Sequence, residues 1–112
     1  MTMQPLEEYE SVRTWKSALS REWGGDPFAE DPAKLIALQQ FCEFIGEDPD
    51  VIVGHCFRIR KSDGEHVISA KWRSFYAEKI KQFRDRDHQP EPRRSAAAVM
   101  GFLIHNGVML QV

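Results

Sequence analysis

The chain is short of nearly every feature that announces chemistry. It has two cysteines, Cys42 and Cys56, in 112 residues, too few for a disulfide framework, and a domain of this size can build a core without such staples. Its longest apolar run, Ala96 to Ile104, has nine residues, about half of the ~18 that a membrane span requires. Met1 to Glu10 is polar and acidic, unlike a secretory leader. A reducing, cytoplasmic setting with no membrane partner is therefore expected. Gly24-Gly25 is too little glycine for a phosphate-binding loop, and no G-x-S-x-G elbow occurs. Four histidines are spread over positions 55, 66, 88 and 105. With Cys42 and Cys56 they gather into a metal or nucleophile site only if folding happens to bring them together, since no C-x-x-C or H-x-x-x-H spacing is present. The acidic residues show no spacing of a catalytic carboxylate pair. These gaps lead to the expectation of no metal, no cofactor and no catalytic residues in this chain.

What the chain does have is an uneven distribution of charge. The net charge is only −2. Residues 1–50 carry four Lys/Arg against eleven Asp/Glu, and residues 51–112 carry eleven against six. Such asymmetry between halves points to a polyanion partner for the basic half. A solvated, mixed-charge surface produces the same split.

Apolar spacing predicts helices, and 112 residues fit one domain. From Leu6 to about Trp23, Tyr9, Val12, Trp15 and Leu19 recur at three- and four-residue steps, the mark of one buried stripe. Pro5 suits the first turn, Gly24-Gly25 stops the helix, and Asp26-Pro27 starts a connection. Asp31 and Pro32 read as cap and first residue of a second helix, with Leu35, Leu38, Phe41, Cys42 and Ile45 on one face and Gly46 as its left-handed end. Asp48-Pro49 repeats the signal for a short helix through Val51 and Ile52, with Phe57 as its furthest extent. Arg58 to Glu65 is a basic connection that turns at Ser62-Asp63-Gly64, and Ile59 leaves room for a short strand. A long helix is predicted over Ser69 to Arg86, with Trp72, Phe75, Tyr76, Ile80 and Phe83 buried and Lys79 reaching out from beside them. His88 to Pro92 is a loop. The last helix runs from Pro92 to His105 and ends at Asn106-Gly107. It is apolar nearly all round, so it belongs at the centre of the fold or under a partner. Ala97 and Gly101, one turn apart, suit the close approach of another helix. The fold class expected is all-α, a compact bundle of four to five helices.

The basic residues form several candidate DNA contacts. Arg93 and Arg94 stand in the first turn of the last helix, where the dipole disfavours cations; both aimed at a phosphate or base edge would account for them. Arg58, Arg60 and Lys61 form a basic loop. Arg73, Lys81 and Arg84 share one face of the long helix. Lys34 and Lys71 lie near helix starts. Each of these sets also fits a plain solvated surface, and the arginines of the last helix also fit a solubilising role.

Two stretches carry a family likeness. Leu35 through Val51 resembles the first core helix of tyrosine recombinase core-binding domains, and Pro92-Arg93-Arg94-Ser95 through Phe102 to Asn106-Gly107-Val108-Met109-Leu110 resembles that family's last helix. The likeness covers about residues 31–112. It implies a SAM-like orthogonal bundle clamping duplex DNA, with residues 1–25 as an added N-terminal helix, 31–107 as the core, and 108–112 opening the linker to a catalytic domain of the same parent chain. The implied partners are duplex DNA, that catalytic domain and other recombinase protomers on DNA. The implied contacts are Arg93, Arg94, Lys34, Lys71 and Arg73. The family's catalytic tyrosine belongs to the following domain, so neither Tyr9 nor Tyr76 takes that role. Glu30-Asp31-Pro32 departs from the family's Ser/Thr-rich entry, and acids there oppose phosphate binding beside Lys34. The function expected is DNA binding for integration and recombination. The rival is a helical protein-interaction or dimerisation module, favoured by the apolar last helix and the acidic first half.

Overall fold

Local capping decides where most elements begin. In the computed structural model, which describes residues 4–86 and 90–110, Asp48 accepts from the Val51 amide at 2.9 Å and opens helix α4 (Pro49–His55). Ser69 accepts from the Trp72 amide and opens α5 (Ala70–Asp85). Helix α3 (Ala33–Ile45) ends on Gly46, whose φ of +84° is the left-handed value expected of its sequence position. Helix α6 (Pro92–His105) has the bounds predicted for it.

The N-terminal segment departs from expectation. The single helix over Leu6 to Trp23 is a 3-10 turn (Leu6–Glu8) followed by helix α1 (Glu10–Trp23). Tyr9 between them is extended, at φ −81° and ψ 138°. Pro5, extended as well, precedes the turn instead of entering a helix. The break lets Leu6 bury itself while Val12, Trp15 and Leu19 keep their own stripe inward. The Asp26-Pro27 connection is a one-turn helix, α2 (Pro27–Glu30), capped by Asp26. Phe28 in that turn packs edge-on against Trp15, with ring centroids 5.1 Å apart.

Helix α6 is the centre of the bundle and touches α1, α3 and α5. Ala96, Val99, Phe102 and Leu103 are buried, which explains its apolar circumference. Phe102 meets Trp15, and Phe41 of α3 meets Phe83 of α5, both edge-on at 5.6 and 5.3 Å. The Asn106 amide donates to the Ser11 and Phe102 carbonyls, and Asp50 accepts the Ser11 amide, so α1, α4 and α6 are tied at one end. Beyond Gly107 the chain does not leave the bundle at 108 as expected: Val108 and Leu110 are buried.

Residues 57–68 form a hairpin, β1 (Phe57–Ile59) antiparallel to β2 (His66–Ile68), pairing Arg58 with Val67 and Ile59 with His66. The short helix expected to extend to Phe57 therefore stops at His55, and the basic connection is a ribbon. Gly64, at φ +75°, closes its turn. The Ser69 amide donates to the Cys56 carbonyl at 2.7 Å and joins the ribbon's base to the start of α5. Cys56, just before the ribbon, is fully buried. Phe75, expected in the core, is 39% exposed, and Trp72 is half-buried. Of the loop expected over His88 to Pro92, residues His88 and Gln89 lie outside the described residues.

Candidate nucleic-acid interface

The ten basic residues singled out by the sequence fall into three groups. The first lies where the starts of α3 and α6 meet. Arg94 reaches Asp31 at 3.0 Å and Glu91 at 3.6 Å, and Lys34 reaches Asp31 at 3.5 Å. Burial pushes the Asp31 carboxyl up, but its hydrogen bond and charge contact with Arg94, then the charge of Lys34, outweigh this and hold it below the usual range. Asp31 was expected to cap α3; instead its side chain is drawn to these two cations, and Pro32 stands before the helix. Arg93 is exposed and makes no ion pair among the described residues. The carboxylates already hold Lys34 and Arg94, so only Arg93 of this group is available to a phosphate without breaking an existing bond.

The second group is the ribbon and the flank of α5 beside it. Arg60 is clasped by Asp63, with Nε 2.9 Å from Oδ1 and a second contact through Nη2. Asp63 also accepts the Glu65 amide and so shapes the turn. Arg58 and Lys61 are exposed and form no ion pair among the described residues. Lys71 lies 5.9 Å from the centre of the Trp72 ring, and Lys79 lies 5.5 Å from that of Phe75, within cation–π range. Trp72 stacks on His55 at 4.2 Å and 14°, and His55 Nδ1 meets the Tyr76 hydroxyl at 2.8 Å. Exposed Ile59 and Phe75 and half-buried Trp72 thus alternate along the chain with Arg58, Lys61, Lys71 and Lys79.

The third group occupies the other flank of α5. At about 100° per residue, Lys71 and Arg73 leave the helix on opposite sides of its buried stripe. Arg73 lines a depression with Ser74, Ala77, Met109 and Leu110. Lys81 is exposed and forms no ion pair among the described residues, whereas Arg84 is held by Asp85 at 3.0 Å. The long helix therefore divides its cations between two surfaces.

Sequence reasoning overlooked Arg86. Its guanidinium lies 4.7 Å from the centre of the Phe83 ring and 5.9 Å from that of Phe44. The three-residue step from Phe83 signals that contact; the one with Phe44 has no local signal. Gly101, expected with Ala97 to admit a neighbouring helix, stands beside Trp15 of α1, and both small residues line a depression there. Among the described residues, no group of three or more His, Cys, Asp or Glu is placed to hold a metal ion, and no helix is long and apolar enough to cross a membrane. No protein-family model matches the chain, and no curated protein or solved structure matches it significantly.

Proposed function

We propose that this chain is a duplex-DNA-binding domain of the tyrosine recombinase core-binding type, holding DNA for a catalytic domain elsewhere in its parent protein and acting beside other protomers. The observation that carries this reading is the ribbon. A two-stranded ribbon is one of the few elements a major groove admits. This one bears Arg58 and Lys61, exposed and without carboxylate partners among the described residues, and Lys71 extends the set at the start of α5. Five Lys/Arg against two Asp/Glu lie between positions 57 and 73. Cations of this kind bind phosphates by releasing condensed counterions. Arg73, Lys81 and Arg93 lie on other faces and fit a duplex that bends round the bundle or contacts to a second protomer. Arg60, Arg84, Arg94 and Lys34 serve first as ion-pair partners within the fold.

The test is fluorescence anisotropy of a labelled duplex across a salt series. The combined Arg58→Ala, Lys61→Ala, Lys71→Ala variant is expected to weaken binding and to lower the salt slope by roughly three phosphate contacts' worth. Arg94→Ala is expected to leave that slope unchanged. Absence of binding at ~50 mM salt overturns the reading and favours the second one, a protein-interaction module. The groove between the 3-10 turn and α3, lined by Pro5, Leu6, Leu35 and Ile36, is the observation behind that alternative.

A further inference from the structure

Helix α5 keeps two aromatic rings at the surface. Trp72 is half-buried and Phe75 is exposed. Neither ring is loose. Trp72 lies flat on His55, with centroids 4.2 Å apart and planes 14° from parallel. His55 Nδ1 is in turn hydrogen-bonded to the hydroxyl of fully buried Tyr76. Phe75 stands on edge against Trp72 and Tyr76, at 5.2 and 5.1 Å. His55 covers one face of the indole, so what exposure remains belongs to the opposite face and the rim. A ring propped in this way loses little freedom when something stacks on it. Cations flank the pair: Lys71 lies 5.9 Å from the Trp72 centre and Lys79 5.5 Å from that of Phe75. Glu78 is the one acid between them in sequence. The chain runs from His55 through Cys56 into the ribbon, and the Cys56 carbonyl accepts the Ser69 amide at 2.7 Å. Trp72 therefore stands at the ribbon's base, and Arg58 and Lys61 are exposed on the ribbon itself.

Phosphates alone would use these cations and leave the rings idle. An apolar partner would use the rings and bury the cations at a cost. A strand with unpaired bases offers both a negative backbone and π faces. We propose that Trp72 and Phe75 form a stacking platform for unpaired bases of single-stranded DNA, with Lys71, Lys79 and the ribbon cations following its phosphates. The inference rests on the ribbon surface taking nucleic acid, and it adds the unpaired strand to what that surface holds.

The test uses the full chain with Trp23→Phe, which removes the exposed indole of α1 and leaves Trp72 and buried Trp15 as emitters. The probes are an oligothymidylate of roughly eight nucleotides, an abasic strand of the same length and charge, and a fully paired duplex, all at the same low salt. Oligothymidylate is expected to quench the emission saturably and to bind about ten-fold more tightly than the abasic strand. Phe75→Leu keeps an apolar side chain at an exposed position; it is expected to cut that preference roughly three-fold and to leave the abasic strand's affinity unchanged. Trp72→Leu is expected to remove the quenching and the preference together. Equal affinity for the two strands overturns the proposal. So does a preference that survives both substitutions, or a Phe75→Leu loss equal on both strands, which a mere packing role would give. Duplex binding with no preference between the strands sinks this inference and leaves the duplex reading standing. Binding of oligothymidylate without the duplex does the reverse.

Discussion

Arg94 and Asp31 meet at 3.0 Å across sixty-three residues of chain, and Lys34 approaches the second carboxylate oxygen at 3.5 Å. The contact straps the start of α6 to the start of α3. It is partly exposed and correspondingly screened, so Asp31→Asn is expected to destabilise the fold by about 1 kcal/mol or less. The sign of its pH dependence follows from the depressed carboxyl. The unfolded chain binds the proton more tightly, so this stabilisation is complete above the ordinary carboxylate value of about 3.9 and is lost as pH falls below it. Urea denaturation of both proteins at neutral and acid pH measures this: the gap between them should close in acid, and a gap that persists there contradicts the assignment.

Tyr76 is fully buried, and its hydroxyl meets His55 Nδ1 at 2.8 Å. Removing the hydroxyl leaves the ring packing intact and the imidazole nitrogen without its partner. Tyr76→Phe is expected to cost about 1 kcal/mol, the usual net value of one hydrogen bond. Chemical denaturation monitored by circular dichroism gives the number; an unchanged midpoint would mean that water replaces the hydroxyl without loss.

Two glycines should respond to alanine with opposite signs. Gly46 sits at φ +84° with open space where a Cβ would go, so its cost is purely conformational. Gly46→Ala is expected to destabilise by roughly 1 kcal/mol. Gly101 lies inside α6, where its new methyl group would make an ordinary contact with Trp15. Gly101→Ala is expected to stabilise by roughly 0.5–1 kcal/mol through helix propensity. Thermal melts of the pair decide it, and shifts in the same direction would refute the contrast.

The two thiols should be inert in the native protein. Burial pushes Cys42 up to about 12, with Asp48 and Glu43 adding to it, and pushes Cys56 up to about 11. At pH 8 neither offers appreciable thiolate. Labelling by an aromatic disulfide reagent is expected to be slow in buffer and complete in denaturant. Rapid native labelling of either residue would show that the fold opens locally around it. The raised values also mean that the native state holds these protons more tightly, so stability should decline as pH rises above the ordinary thiol range.

Much of the fold was readable along the chain. Pro92 and Asn106-Gly107 mark both ends of α6, Gly46 ends α3, Asp48 caps α4, and Ser69 marks where α5 begins. The break at Tyr9 was not readable, because it answers to the burial of Leu6 against residues distant in sequence. The pairing of Arg58 with Val67 was open for a similar reason: three-residue strands carry too little alternation to set a register. The candidate interface was readable as composition and not as surface. The split of Lys71 from Arg73 follows from helix geometry alone, whereas the capture of Arg94 by Asp31 does not.

The amino-acid order alone determined where helices start and stop and which of their faces turn inward, because caps, glycines and apolar steps act within a turn or two of themselves. Tertiary structure decided which charges remain for a partner and set Trp72 on His55 at the ribbon's base. Both depend on groups brought together from distant parts of the chain, and local spacing carries no record of such meetings.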